Sequence, residues 1–264
     1  MVKVELVELK ENYAKLRVSE TAPYFVNSLR RTMLSELPKL AIEDVIVYDN
    51  TSPLFDEIIA HRLGMIPLKT DLKLLVPREE CTCKGKGCLS CTIRYTLSKE
   101  EPGVVCSGDL QPESKGWEVV DPKIPIVELS EGQRLILEVE AVLGKGRNHV
   151  KWQVVQAPAY KYYPVIEIYQ SKLDEDTRKK CIEICPKGIL AEKEGELVVT
   201  DVEECSLCKS CMEICEPGAV TVKGDQTKFL FSFETDGSLT AKEALVETAK
   251  ILEGKYKEMK KLLK

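Results

Sequence analysis

The sequence has little of what most enzymes and membrane proteins need. Only two histidines, His61 and His149, occur among its 264 residues, and neither has a serine or cysteine neighbour that would indicate a catalytic triad. No apolar run approaches the roughly 20 residues that a membrane-spanning helix requires. The first residues, Met1 to Glu5, do not have the composition of a signal peptide, so we expect a cytoplasmic protein.

Basic charge and phosphate-binding loops are also scarce. The net charge of −5 argues against a broad surface for nucleic acid. The glycine-rich segment Leu143–Trp152 lacks the Walker spacing and the serine or threonine that should follow it, so it is predicted to be a plain turn. We therefore expect no direct, sequence-specific contact with nucleic acid.

Cysteine, by contrast, is abundant, with eleven residues. An odd number argues against a secreted disulfide framework, and clustered cysteines in a reducing compartment indicate metal binding. One cluster spans eleven residues and consists of Cys81, Cys83, Cys88 and Cys91. Glycines between them let the chain double back, and zinc accepts four thiolates tetrahedrally. This pattern favours a structural zinc site over free or disulfide-paired cysteines.

A second group of cysteines repeats with a spacing of thirty residues. The segments Cys181–Leu190 and Cys211–Val220 are similar to each other, and Cys205 and Cys208 precede the second one. The resulting C-x2-C-x2-C-x3-C run, followed closely by proline, resembles that of bacterial ferredoxins. In the first half, Glu175 and Arg178 stand where cysteines would be needed, so a complete second cluster is not expected.

The ferredoxin resemblance implies a division of the six thiols. In that fold the fourth cysteine of each run ligates the cluster of the other run. One [4Fe–4S] cluster would then be held by Cys185, Cys205, Cys208 and Cys211. Cys181 and Cys215 could pair as a disulfide or remain thiols. Two alternatives stay open: a cluster-free domain held by disulfides, as thermophiles permit, or zinc on the same four thiolates.

Apolar periodicity predicts a helix near each end of the chain. In the first helix, which Pro38 ends, Leu29, Met33 and Leu37 recur every four residues, and Arg30 and Arg31 lie on the opposite face. After a strand at Phe229–Thr235, a helix is expected from about Leu239, with Ser238 as its cap. Its apolar seam, long enough to pack on a partner helix, consists of Leu245, Ala249, Leu252, Tyr256, Met259 and Leu263.

Several linked motifs resemble one family. They are the run NSLRR at Asn27–Arg31, the strand at Ala41–Tyr48, the run FDE at Phe55–Glu57 and the run HRLGMIPL at His61–Leu68. Together they resemble the amino-terminal domain of RNA polymerase alpha-type subunits, including those of archaea and the third-largest subunit of eukaryotic RNA polymerase II. Eukaryotic relatives carry a zinc loop at the corresponding place, although the gap between Cys83 and Cys88 is one residue longer here.

The resemblance implies an α+β fold built around one discontinuous dimerisation domain. Residues 1–42 and 223–264 would form that domain. A β-rich domain with the zinc loop would be inserted at 43–170, and a ferredoxin-like domain at 171–222.

The resemblance also implies a function and a set of partners. The chain would be a non-catalytic assembly platform of DNA-dependent RNA polymerase. It would pair with the small alpha-like subunit L, bind the small zinc subunits N and P and dock the large catalytic subunits. Leu245, Leu252, Tyr256 and Met259 would contact subunit L, and Arg30 and Arg31 a large subunit. The alternative is a standalone iron–sulfur electron carrier, which needs no partner. An enzyme using the cysteine sites is a third possibility, but the sequence offers no base or open metal position for it.

Overall fold

The computed structural model describes residues 2–263, so Met1 and Lys264, the outermost residues of the predicted dimerisation domain, lie outside it. The chain divides into two compact units. One unit contains the residues up to Val7, then Lys15–Asn27 and Ala159–Phe231. The other contains Glu8–Ala14, Ser28–Pro158 and the residues from Ser232 onward.

The described part of the chain combines five α-helices with several antiparallel sheets, a mixed α and β fold as expected. Its first half contains β1 Lys3–Leu9, β2 Tyr13–Ser19, α1 Pro23–Ser35, β3 Pro38–Asn50, α2 Asp56–Gly64, β4 Thr92–Lys99, β5 Gly103–Cys106, β6 Gln111–Pro112, β7 Pro125–Leu129 and β8 Leu135–Lys145. Its second half contains β9 Val155–Ile168, α3 Glu175–Ile184, β10 Leu190–Lys193, β11 Glu196–Val199, α4 Ser210–Glu213, β12 Val220–Thr235 and α5 Ala241–Leu262.

The larger core belongs to the sheet β3-β8-β4-β6. Strand β3 pairs with β8 over nearly its whole length, from Pro38 opposite Lys145 to Asn50 opposite Leu135. Strand β4 pairs with the other edge of β8. Helix α2 buries Ile59 and Leu63 completely against this core, and each such side chain contributes about 1.5–3 kcal/mol through removal of apolar surface from water. The sheet is therefore a stable base for the cysteine loop that enters β4.

A second four-stranded sheet has the order β1-β2-β12-β9. Burial alternates along strand β2, with Ala14, Leu16 and Val18 buried. The first strand of the hairpin is less covered, because Val4 and Leu6 are each 57% exposed. The sheet thus joins a hairpin from the start of the chain to a strand near its end.

A smaller core lies around α3, α4 and the hairpin β10–β11. The hairpin pairs Leu190 with Val199, and its turn residues Glu194 and Gly195 both have positive φ, as a type I′ turn requires. The buried members of this core are Leu173, Cys181, Ile189, Leu190, Leu197, Cys205, Ala219, Val220 and Val222. Cys181 and Cys205 are therefore part of this core, so their positions depend on its folding.

The carboxyl-terminal helix α5 begins two residues later than the sequence suggested. Its cap is Thr240, whose hydroxyl accepts from the Glu243 N–H at 3.2 Å while the Glu243 carboxylate accepts from the Thr240 N–H. The expectation of Ser238 as the cap is wrong, because that hydroxyl donates to Asp236 at 2.5 Å instead. Among the described helices, none combines the length and apolar composition needed to cross a membrane.

Candidate metal centres

The first cysteine cluster lies on the loop between α2 and β4. Successive turns fold this loop: the Lys84 N–H donates to the Cys81 carbonyl at 3.0 Å, and the Cys91 N–H to that of Cys88 at 2.9 Å. Gly85 and Gly87 have φ of +80° and +78°, which a residue with a side chain adopts only under strain. The glycines thus provide the reversal that the sequence pattern predicted.

The four thiols of this loop converge. The Sγ atoms of Cys81 and Cys88 are 3.5 Å apart, those of Cys83 and Cys91 are 3.6 Å apart, and those of Cys88 and Cys91 are 3.9 Å apart. All four sulfurs lie within 4.8 Å of one another. Cys81 and Cys91 are buried and the other two half-buried. This group could bind a metal ion.

The loop favours thiolate at one position before any metal binds. Burial opposes ionisation of Cys83, but hydrogen bonds from the Cys81 and Cys91 thiols and from the Cys88 N–H lower the pKa of Cys83 to about 6. The pKa of Cys81 is raised to about 12, because the thiol of Cys88 and burial outweigh the N–H of Cys83. Metal ligation requires thiolates, so the hydrogen bonds among these thiols shift the loop toward the form that binds metal.

An arginine attaches this loop to the sheet. Arg78 Nη2 donates to Glu140 on β8 at 2.7 Å, and Arg94 on β4 donates to the same carboxylate at 3.0 Å. The guanidinium also lies over the loop, because a Cβ added to Gly87 would be 3.0 Å from Arg78 Nη2. Arg78 therefore connects the cysteine loop to the strand pair β4–β8.

The second group of thiols comes from two separate segments. Cys185 follows α3 directly, whereas Cys205 and Cys208 lie on the segment that leads into α4 and Cys211 lies within α4. All four line one cleft, together with Ile166 and Val222. Burial and the charges of Cys208, Cys205 and Cys185 together raise the pKa of Cys211 to about 11. These four cysteines are therefore close enough to interact electrostatically.

The segment around Cys208 has a strained backbone. Leu207 and Lys209, on either side of it, have φ of +59° and +66°. Left-handed backbone costs roughly 1–2 kcal/mol at a residue other than glycine. Between them Cys208 is exposed, and the N–H and hydroxyl of Ser210 lower its pKa. Strain of this kind concentrates at functional sites, and here it flanks the exposed cysteine of the group.

Cys181 and Cys215 form a separate pair. Their Sγ atoms are 3.1 Å apart, and both thiols donate to the Cys211 carbonyl. Cys181 is fully buried, and burial together with the Cys215 thiol raises its pKa to about 12. At the two positions where a ferredoxin would have further cysteines, Glu175 pairs with Lys179 and Arg178 with Glu192. Those two positions therefore form ion pairs instead.

The residues predicted to contact other subunits lie in unequal surroundings. On α5, Leu245 and Leu252 are half-buried, whereas Tyr256 and Met259 are 58% and 56% exposed. On α1, Arg30 is half-buried and Arg31 is exposed. The carboxyl-terminal half of α5 thus presents large apolar side chains to solvent.

Sequence reasoning missed two charged groups with structural roles. The buried carboxylate of Glu36 accepts from Arg147 at 3.1 Å and from Lys255 on α5 at 2.9 Å. Lys161 on β9 donates to the carbonyls of Glu203 and Cys205. The partners lie tens to hundreds of residues away, so no local signal could have indicated either group.

Comparison with known proteins identifies the family. The family model of the RNA polymerase Rpb3/RpoA insert domain matches residues 43–169. DNA-directed RNA polymerase subunit Rpo3 of Picrophilus torridus is 42% identical over 266 residues, covering 96% of both chains. The chain belongs to the Rpo3 family of RNA polymerase subunits.

Further relatives extend this similarity across other archaea. The Rpo3 subunit of Archaeoglobus fulgidus is 38% identical and covers 100% of this chain and 98% of its own. That of Methanothermobacter thermautotrophicus is 44% identical over 92% of this chain. The prediction of an RNA polymerase alpha-type subunit is thereby confirmed at the level of the family, and the standalone electron carrier gains no support.

Proposed function

We propose that this chain acts as the platform on which an archaeal RNA polymerase assembles. The observation that carries this proposal is the exposed apolar face of α5. Tyr256, Met259, Leu262 and Leu263 are 56–82% exposed at helical spacing. Contiguous apolar surface of this kind marks a protein interface, and an amphipathic helix packs on a partner helix through it.

The occupant of this face would be the small alpha-like subunit L. Leu245 and Leu252, the half-buried members of the seam, would continue the contact toward the core of the domain. The rest of the assembly would follow from this pair, with the small zinc subunits N and P and then the large catalytic subunits.

Co-purification of the two subunits tests the pairing. The double variant Tyr256→Glu, Met259→Glu places charge in the apolar seam of α5. The control double variant Glu258→Lys, Lys261→Glu changes charges on the same turns of α5 but leaves the residues of the seam unchanged. We expect the first to weaken the complex by at least about 100-fold, since buried aromatic anchors contribute about 2 kcal/mol or more each. The control should bind like the parent chain. Equal binding by all three proteins would exclude α5 as the interface.

Arg30 and Arg31 would make polar contacts to a large subunit. Reversing both charges should abolish binding of the large subunit and leave the pair with subunit L intact. The two effects are measured on the same purified pair, by pull-down and by its thermal midpoint. Loss of folding in place of selective loss of binding would refute this assignment.

The first cysteine cluster would hold one structural zinc ion. Four sulfurs around zinc at 2.3 Å would be about 3.8 Å apart, and three sulfur pairs of the loop lie between 3.5 and 3.9 Å. Four protein thiolates leave no open coordination position, so the ion would stabilise the loop and would not activate water.

The second cysteine group would hold one [4Fe–4S] cluster on Cys185, Cys205, Cys208 and Cys211. Such a cluster supplies reversible one-electron chemistry when it is bound. What supports this assignment is the shared cleft and the mutual effect of the four thiols on the pKa of Cys211. Cys181 and Cys215 would stay outside the cluster, as thiols or as a disulfide. A cluster-free domain and a zinc-bound domain are the competing interpretations.

The domain boundaries belong to the same proposal. Residues 1–42 and 223–264 would form the dimerisation domain, 43–170 the β-rich insert and 171–222 the ferredoxin-like insert, in a cytoplasmic protein. The order of α3, the hairpin β10–β11 and α4 supports the last of these.

Metal analysis of anaerobically purified protein, carried out beside its visible spectrum, tests both metal assignments. About four irons and one zinc per chain, with a broad band near ~400 nm, are expected. Zinc without iron would exclude the cluster. Iron without zinc would exclude the zinc loop.

A further inference from the structure

Lys161 has surroundings that are unusual for a lysine. It lies on β9 and is half-buried, and its ammonium group donates to the carbonyl oxygens of Glu203 at 2.5 Å and Cys205 at 2.9 Å. Lysine ammonium groups are normally solvated, and withdrawing one from water costs free energy unless hydrogen bonds replace the water. Here two main-chain carbonyls replace it.

Two other cations contact the same segment in a different way. Arg17 on β2 pairs with the Glu203 carboxylate, and Lys15 pairs with that of Glu204 at 3.2 Å. These bonds end on flexible side chains, whereas those of Lys161 end on the backbone. Of these three cations, Lys161 is therefore the one that contacts the main chain presenting Cys205.

Among the described residues, the segment from Glu203 to Lys209 has few other contacts that would hold its main chain. Cys205 is 8% exposed. Cys208, three residues later, is exposed and lies between Leu207 and Lys209, which both have left-handed backbone. Only one backbone hydrogen bond, from the Cys205 N–H to Val202 at 3.2 Å, is seen at this residue among the described turns and loops. The strain at Leu207 and Lys209 must be offset by contacts on either side, and Lys161 supplies them on the upstream side.

We propose that Lys161 is a positioning residue that holds Cys205 in its ligand-presenting conformation before any metal arrives. Its role for iron rests on the cluster proposed above. Its role for the backbone does not, because both carbonyl contacts exist without a metal. The consequence is that the first ligand of the three-cysteine run is set by a strand outside the ferredoxin-like segment.

Cysteine alkylation on the metal-free, full-length chain tests the proposal directly. The rate of iodoacetamide reaction at each cysteine is followed by peptide mass spectrometry in the parent and in Lys161→Met and Lys15→Met. We expect Lys161→Met to raise the rate at buried Cys205 about tenfold, with little change at exposed Cys208. Lys15→Met, which removes only side-chain pairs, should change Cys205 less than about twofold. Equal rates in Lys161→Met and the parent would overturn the proposal.

A second variant guards against general unfolding. Cys106, half-buried on β5 in the other compact unit and outside both cysteine groups, serves as an internal reference, because its rate rises only if the protein opens elsewhere. If it rises in Lys161→Met, the comparison moves to Lys161→Arg, which keeps cationic donors. Recovery of slow Cys205 alkylation in that variant supports the proposal, and fast alkylation with an intact reference overturns it.

Iron retention provides the functional arm. After anaerobic reconstitution, Lys161→Met should lose iron about tenfold faster than Lys15→Met. If the parent takes up no iron at all, the cluster proposal fails, and the alkylation rates still decide the role of Lys161. If both variants retain iron equally, positioning by Lys161 does not matter for the cluster.

Discussion

The two cysteine sites of this chain are built on opposite plans. In the first, four thiols within one short loop converge through local turns and two glycines. In the second, Cys185 comes from the end of α3 and must meet three thiols that lie beyond the hairpin β10–β11. The first site depends on its own backbone, whereas the second depends on a folded domain. The comparison indicates that the distance between cysteines along the chain decides how much of the fold is needed to bring them together.

The two sites also differ in how they are attached. Arg78 connects the first loop to a side-chain carboxylate, Glu140, which Arg94 shares. Lys161 connects the second segment to backbone carbonyls. Glu140 keeps one arginine partner when the other is replaced. Replacing Lys161, by contrast, removes the ammonium group that both backbone carbonyls share.

The largest expected effect is the loss of zinc from the first loop. Cys83→Ser should remove a large part of the roughly 10–16 kcal/mol of apparent binding free energy typical of structural zinc. The loop should then lose hydrogen-exchange protection, while the β4–β8 core, with Tyr95 and Leu137 fully buried, keeps it. Zinc per chain and exchange by mass spectrometry measure this.

Cys106→Ser is the matched control, because this cysteine lies on β5 outside both groups. Full zinc occupancy in Cys83→Ser would mean that the loop does not use all four thiols.

The next largest effect should be on iron content, which should distinguish the proposed cluster ligands from the pair Cys181 and Cys215. Cys211→Ser should lower the iron content by more than about tenfold, because it removes one of four thiolates from the shared cleft. Cys215→Ser alters the pair with Cys181 and the bond to the Cys211 carbonyl, but it leaves the four thiols of the cleft in place and should retain iron. Iron per chain after anaerobic purification checks both. Equal iron loss in the two variants would refute the division of thiols.

A smaller effect is expected at the attachment of the first loop. Arg78→Met removes a charge-assisted hydrogen bond, for which about 1.5 kcal/mol is the lower end of the usual range. We expect that lower end because Arg94 still pairs with Glu140. Zinc should therefore dissociate about tenfold faster, as a chelator competition assay would measure. Arg134→Met, which breaks a surface pair with Asp49, is the control and should leave the rate unchanged.

The pH dependence of that effect follows from Glu140. Burial raises the pKa of this carboxyl, but hydrogen bonds from Arg78 and Arg94 outweigh burial and lower it below 4.5. A lowered folded-state pKa stabilises above the unfolded value and loses that contribution as pH falls through the folded one. The stability difference between parent and Arg78→Met should thus be constant near neutrality and shrink below about pH 4.5 in urea unfolding. A difference that grows on acidification would contradict this assignment.

The smallest effect should distinguish the two loop glycines. Gly85→Ala and Gly87→Ala both place a Cβ at positive φ, at a cost of about 1 kcal/mol. Gly87→Ala should cost more, because its Cβ would also press on Arg78 at 3.0 Å, whereas nothing lies near Gly85. Thermal midpoints of the zinc-loaded proteins rank them. The opposite rank would mean that Arg78 does not pack on the loop.

Local patterns predicted the elements well. The periodicity of Leu29 and Met33 predicted the helix α1, but this helix ends at Ser35, so Leu37 lies beyond it and Pro38 does not set its end. The alternation at Phe229–Thr235 predicted the end of β12. The spacing of Cys81 to Cys91 predicted convergence, since every turn it needs lies within the loop. These features could be predicted because they depend on residues that are close together in the sequence.

Features that depend on distant neighbours could not be predicted. The cap of α5 moved from Ser238 to Thr240 because Asp236 competes for the Ser238 hydroxyl. The pairing of Glu36 with Lys255 joins residues at opposite ends of the chain. Lys161 likewise depends on a segment forty residues away, so its spacing carries no signal.

The strand order of the second sheet delays its completion during translation. Because β12 lies between β2 and β9, the amino-terminal hairpin acquires its inner neighbour only after about two hundred further residues have been translated, roughly 10–40 s at ordinary elongation rates. Until then Ala14, Leu16 and Val18 have no partner strand on that side. The nascent hairpin therefore lacks that neighbour for most of synthesis, whereas the four thiols of the Cys81–Cys91 loop can converge while the ribosome is still translating the rest of the chain.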